Sequence, residues 1–340
     1  MDWGNPGRCR RVRFFIGLFF FVIFVQKFIM INSVRNTVFS VLNKNNYGYI
    51  SPQDFNLFAK QAQLEIFENY FSDYNTAINK ENARISGTGY ADDTKGMEES
   101  IDTFSVIKNF DQKNYNKYFT PSQTTTGDDY YLLNKVLAYT TFKISGTNTS
   151  VTANQLVDAA ATFTATVAVG DIVVNTTSLE QAEVLNVLSD TQLALDENIF
   201  SSAIGDGYSI FNPENYEVEK VTNSKISMLA NSVLTAPTKT FPAYSLNSDS
   251  ITVLPKTINN PGQVFSQYIR YPKDPKWIYN TLASGEPVFD QSQSDYQDFE
   301  LPIEDEVNLV TKILQYAGMQ IREAQVVQFA NLEEQKDNQQ

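Results

Sequence analysis

From position 145 to 212 the chain contains eight acids and not one lysine or arginine. Threonine is frequent there, and short alternating runs recur: "TFTATVAV", "DIVVNTT", "EVLNVLS", "QLALD" and "YSIF". A side-chain period of two is the mark of a strand with one face buried. Gly170-Asp171 and Ser189-Asp190 supply turns between the runs. Such a segment has few folds open to it. It reads as a small all-β module, near the minimum size that folds alone. Strand-like sequence abuts it on both sides, "YYLLNKVLAYTTFKI" before and "YEVEKV" after. The module is therefore expected as an insertion into a parent domain, whose halves are residues 30–144 and 213–330. Residues 331–340, "EEQKDNQQ" and what precedes it, form a tail expected to fray.

Helical periodicity is confined to the parent. Phe55, Phe58, Ala62, Ile66, Tyr70, Tyr74 and Ile78 recur at spacings of three and four, which predicts a helix over 51–79. Residues 223–234 read as a short helix. A second strong helix is predicted over 301–318, with Val307, Val310, Leu314 and Ala317 facing the core and Gly318 ending or bending it. A final helix is predicted over 322–334. "SDSITVLP" and "QVFSQYIRYPKDPKW" read as strands, the latter stopped by Pro272 and Pro275. The fold class is α+β, a helical and β parent with an inserted β-module.

The chain of 340 residues has no histidine. That removes the usual general base and the usual metal ligand. Its one cysteine, Cys9, can form neither an internal disulfide nor a cysteine zinc site. The stretch "NKNNYGYISPQDF" imitates a calcium loop, but its ligand positions hold Asn43, Asn45, Tyr47 and Asp54. One carboxylate neutralises a divalent cation poorly. Ser51 and Asp54 instead spell a capping box, with Pro52 at the first helical turn. No phosphate loop, dinucleotide fingerprint or nucleophile elbow is present. "SGTGY", residues 86–90, reads as a turn. The acid groups Asp92-Asp93, Asp128-Asp129 and Glu304-Asp305-Glu306 read as loops and helix starts. No cofactor and no catalytic residue is expected. The net charge of -13 disfavours tight binding of nucleic acid.

Residues 1–29 differ from the rest. Arg8, Arg10, Arg11 and Arg13 precede an uncharged run over 14–25, and seven of the 24 phenylalanines fall between Phe14 and Phe28. A basic start and a short apolar core imitate a signal peptide. The run is too short to span a bilayer in the ordinary way. The segment reads as a leader or as upstream DNA rendered in codons, with Met30 as the start of an ordinary N-terminus. On the second reading five basic residues and one acid are lost, and net charge becomes -17.

One cluster of positive charge stands out in this acidic chain. "IRYPKDPKW" holds Arg270, Lys273, Lys276 and Trp277 between prolines. The cluster reads either as a solvated loop or as a contact for an acidic neighbour; arginine and large aromatics dominate interface energetics, so on the second reading these four residues are the expected subunit contact.

The stretches "YGYISPQDFNLFAKQAQLEIFENYF", "GTGYADD", "YSLNSDSITVLP", "YIRYPKDPKW" and "LVTKILQYAGMQIREAQVVQFANLEEQ", in that order, resemble the portal-associated ring (head–tail connector) proteins of crAss-like and related Bacteroidetes phages. The likeness runs from Met30 to the end. The β-module resembles a small insert of phage structural proteins. The resemblance implies a connector-type parent fold, a virion location after assembly in the host cytoplasm, and no enzyme activity. It implies a homo-oligomeric ring of about twelve copies beside the portal and neighbouring tail or neck proteins, with DNA passing through without tight binding and no membrane association. The signal-like start and the threonine-rich module leave one alternative, a secreted or surface-exposed bacterial binding module.

Overall fold

The computed structural model describes residues 30–43, 50–82, 90–201, 203–283, 285 and 287–321. The expectations for the leader, the helix over 322–334, the tail, most of "SGTGY" and residues 44–49 of the calcium-like loop fall outside these residues.

Three helices open the chain: α1 (Met30–Asn43), α2 (Pro52–Asn82) and α3 (Tyr90–Asp102). The sequence reading took residues 30–42 as an ordinary N-terminus. They form a helix because Ile31, Val34, Val38 and Leu42 recur at helical spacing, and all four are buried. Its first turn is capped from far along the chain. The buried Asp298 carboxylate accepts the N–H groups of Met30 (3.2 Å), Ile31 (2.8 Å) and Phe299 (2.9 Å). A carboxylate at this end also opposes the helix dipole.

The capping box at the start of α2 forms as its spelling predicts. Asp54 N–H donates to Ser51 Oγ at 3.1 Å, and the Ser51 hydroxyl donates to the Asp54 carboxylate at 2.7 Å. Phe55, Ala59, Ala62, Ile66 and Phe67 are the buried line of α2. Phe58, Tyr70, Tyr74 and Ile78, expected in that line, are only half-buried, so the stripe is turned slightly from the expected one.

The sheets follow: β1 (Ser105–Asn109), β2 (Gln112–Asn114), β3 (Lys117–Phe119) and β4 (Tyr130–Tyr139). The chain then enters the module with β5 (Phe142–Thr147), β6 (Ser150–Thr152), β7 (Gln155–Val157), the short helix α4 (Phe163–Thr166), β8 (Ile172–Asn175), β9 (Gln181–Ser189), β10 (Gln192–Leu195) and β11 (Gly207–Phe211). It returns as β12 (Asn215–Glu217), β13 (Glu219–Lys220), α5 (Asn223–Ala230), β14 (Ala243–Leu246), β15 (Ser250–Leu254) and β16 (Val264–Arg270). The hairpin β17 (Tyr279–Thr281) and β18 (Pro287–Phe289) and the helix α6 (Glu306–Ile321) complete the described chain.

In the parent, β1-β16-β4-β12 form an antiparallel sheet, and β13-β14-β15-β3-β2 form a second that is antiparallel except for the parallel pair β13-β14. Tyr118, Val136, Ala138, Tyr244, Ile251, Val253 and Val264 share one core between them. A second core joins α1, α2 and α6 to Phe104, Ile269, Trp277, Phe299 and Leu301. On α6 the buried residues are Leu309, Ile313, Leu314 and Ala317. Val307, expected in the core, is 73% exposed. It lies in the first turn, roughly 100° around the helix from the middle of the buried line. Gly318 does not end this helix, which runs to Ile321.

The module is a closed sheet. Its strand order is β5-β11-β8-β9-β10-β7-β6. The outermost strands, β5 and β6, are consecutive and meet at Asn148. Asn148 N–H extends the ladder with β11 by bonding Asp206 O (2.9 Å), and Thr149 N–H extends the one with β7 by bonding Val157 O (2.7 Å). One bent strand thus belongs to both ends of the sheet, which curls round into a barrel, although β5 is laddered only to β11 and β6 only to β7. The first strand starts at Phe142, three residues ahead of the boundary read from composition. Gly146 is needed inside: a Cβ there would meet Asp158 Oδ2 and Tyr208 Oη, each at 2.6 Å. Those two are hydrogen-bonded to each other at 2.7 Å.

The barrel is docked on the parent. Val174 and Phe211 from the barrel pack with Tyr139 and Phe265 from the parent. The Tyr139 ring stacks on both phenylalanines. Asn109 donates to Leu179 O and Gln181 Oε1, and Tyr139 Oη donates to Gln181 Oε1 at 2.9 Å. Gly262, at φ 72°, brings the parent backbone so close that a Cβ would lie 2.6 Å from Val174 Cγ1.

Candidate interaction surfaces

The predicted contact residues follow the end of β16. Three α2 side chains at helical spacing fix the backbone there. Asn56 accepts Trp277 N–H (2.8 Å) and donates to Trp277 O (3.2 Å). Lys60 pairs with Asp274 at 2.7 Å. Gln63, fully buried, donates to Lys273 O (2.8 Å) and accepts Glu300 N–H (3.1 Å). Spacings of four and three place all three on one helix face, and none of them belongs to the aromatic stripe that sequence reading followed.

The four residues then separate. Arg270 forms a two-pronged ion pair with Glu300, at 2.7 and 3.0 Å. Burial pulls its pKa down, and Glu300 more than offsets this, so the net shift is upward. Glu300 also accepts Lys273 N–H at 2.8 Å. Arg270 is thus a strut within its own chain. Trp277 corrects the expectation of a contact ring. It is 1% exposed, stacked with Tyr279 and Phe289 at 5.5 and 6.0 Å. The Arg35 guanidinium sits 3.6 Å above its ring. An indole so enclosed presents nothing to a neighbour. Only Lys273 and Lys276 remain exposed, and neither makes an ion pair among the described residues.

Both lysines line a cleft of about 800 Å³, with Glu68, Asp128, Asp129 and Asp295 on its walls. A second cleft of about 710 Å³ shares Asp129 and Tyr271 with it. The walls carry both signs of charge. Asp128 is paired with Lys108 at 3.0 Å, and Asp129 caps Gln123 N–H at 2.8 Å. Asp305 of the third acid group accepts the Tyr70 hydroxyl, whose pKa is raised by burial and then by that carboxylate. Asp128, Asp129 and Asp305 each hold structure in place through these contacts. Among the described residues no group of three or more acids, cysteines or histidines could hold a metal ion, and no helix is long and apolar enough to cross a membrane.

A second surface was not anticipated. α5 ends at Ala230, four residues short of the helix expected over 223–234. The following loop, closed by local turns at Ser232 and Thr238, leaves its apolar side chains uncovered. Val233 is 104% exposed, Leu234 94%, Phe241 78% and Met228 74%. The available signal was electrical. Residues 220–248 hold three lysines and no acid, whereas residues 144–219 hold eleven acids and no lysine or arginine.

Compared with known proteins, the chain matches no protein-family model and no curated sequence.

Proposed function

We propose that this chain is a non-enzymatic virion structural protein, a head–tail connector or neck ring subunit that assembles around the DNA channel next to the portal. The sequence resemblance supplies the family and the connector-type parent. The structural observation that carries the assembly reading is the bare apolar arm over 231–242. Val233, Leu234 and Phe241 on the arm, and Met228 on α5 just before it, face water. Clustered exposed apolar side chains of this kind mark interaction sites. A net charge of -13 per subunit, multiplied around a ring, gives a channel that repels the DNA backbone and lets DNA slide without adhering. Lys273 and Lys276, on the rim of the larger cleft, are the remaining candidates for a contact with an acidic neighbour in the neck.

Native mass spectrometry and negative-stain imaging of the purified full chain test the reading. Closed rings of a fixed copy number are the expected result. A chain that stays monomeric at high concentration, alone and with the portal, would overturn it.

A further inference from the structure

We propose that copies of this chain join head to tail, with the apolar arm and lysines of one copy seated on the acidic outer face of the barrel of the next. The inference rests on the oligomeric reading above and specifies its contact. The donor surface is the segment over 220–241, where Lys220, Lys225 and Lys239 are exposed around Val233, Leu234 and Phe241. None of the three lysines has an ion-pair partner among the described residues. The complete exposure of Val233 shows that the arm does not rest on its own barrel.

The acceptor surface has the opposite character. On the outside of β9, Leu185 is 56% and Leu188 47% exposed, and Val169, brought beside β9 by the Gly170 N–H bond to Val184 O (2.9 Å), is 65% exposed. Glu183 lies in the same strand, with Asp190 just beyond its end, and both are exposed. Each surface therefore carries apolar side chains amid charge, and the charges are of opposite sign. Complementary potentials of this kind steer encounter and fix register. The chain as a whole is acidic, so two copies repel wherever acid meets acid. The acid-free arm is the part that can approach an acidic neighbour without that cost. Because the two patches differ, the contact is heterologous, the type that generates rings when the rotation closes and filaments when it does not.

Sedimentation velocity on the full chain, over a range of concentration, tests the contact. One variant silences the arm (Val233→Ser, Leu234→Ser, Phe241→Ser) and another the barrel face (Glu183→Lys, Leu185→Ser, Leu188→Ser). All six positions are exposed, so thermal midpoints by circular dichroism stay near wild type. Each variant alone is expected to associate on the order of tenfold more weakly, or worse. Mixed together they form a one-to-one pair and nothing larger, since each retains one intact half. A charge-reversed chain (Lys225→Glu, Lys239→Glu) also loses association, and regains it when Glu183→Lys and Asp190→Lys are added to the same chain. Wild-type assembly by the arm variant overturns this contact and leaves the ring reading standing. So does a mixture that yields no pair while the wild type assembles. A wild-type chain that is monomeric at every concentration overturns both.

Discussion

Truncating Trp277 separates a core residue from an interface residue. The ring is 1% exposed and is held by two stacked aromatics, a guanidinium above it and an Nε1–H bond to Asn32 Oδ1 at 3.3 Å. Replacing a buried tryptophan by alanine costs about 3–5 kcal/mol through lost transfer energy and the cavity left behind. Losing the Arg35 contact adds about 1 kcal/mol. The total, about 5 kcal/mol, is a large share of the roughly 5–15 kcal/mol that stabilises a domain. Trp277→Phe keeps most of the ring and should cost about 2 kcal/mol. Urea titration followed by far-UV circular dichroism measures the difference. With a slope of about 3 kcal/mol per molar, the midpoint should fall by about 1.5 M for Trp277→Ala and by less than half that for Trp277→Phe. A midpoint shift worth under about 0.5 kcal/mol, together with lost assembly, would show that the ring packs on a neighbour and refute the reasoning.

Asp298→Ala removes the acceptor of three backbone N–H groups and should cost about 2–3 kcal/mol, with loss of helical signal from α1; an unchanged thermal midpoint would contradict the capping role. Tyr118 and Tyr139 have phenol pKa values raised by burial, and that of Tyr208 is raised by burial and then by Asp158. Their contribution is complete below the ordinary tyrosine pKa of 10.0 and is lost as pH rises past it toward the folded values. The Tm should therefore hold to about pH 9 and fall steeply above about pH 10, with the tyrosinate absorbance of these three buried phenols appearing only on unfolding; ionisation of all 18 tyrosines in the folded chain would argue against buried neutral phenols. Excising residues 145–212 with a Gly-Ser bridge cuts through β5 and uncovers Tyr139 and Phe265. The shortened parent should retain its helical signal but lose about 3 kcal/mol, and a full-strength parent would mean that the docking cluster contributes nothing.

Local chemistry was the most legible part of this chain. Ser51 and Asp54 spelled a cap that needs no distant partner, and the alternation in residues 145–212 revealed β8, β9, β10 and β11, but "TFTATVAV", which alternates equally well, forms the short helix α4 and a loop in place of a strand. Long-range partners were not legible. The spacing of Ile31, Val34, Val38 and Leu42 in α1 was legible and passed over, whereas its cap, Asp298, 268 residues away, was not legible. Val307 was assigned to the core from spacing alone, yet the face a helix buries depends on its neighbours. The same limit explains the basic cluster. Arg270 and Trp277 look like contact residues by type, but Glu300, Arg35 and the hairpin aromatics had already enclosed them. The arm was hidden by the opposite error. Val233 and Leu234 continue an apolar pattern, and only the early end of α5 leaves them outside.

The closure of the barrel also bears on the order of folding. β4 pairs with β12, yet about 75 residues separate the end of one strand from the start of the other. As an open chain, that interval is a long loop to close. Once the barrel has formed, β5 and β11 lie side by side, with Phe142 opposite Phe211, and the effective loop shrinks to about five residues. By the logarithmic dependence of loop closure on length, this lowers the entropic cost of joining the two halves of the parent by about 2 kcal/mol. The inserted module, which interrupts the parent in sequence, therefore acts as a staple for it once folded, and a barrel that folds first hastens the pairing of the strands on either side.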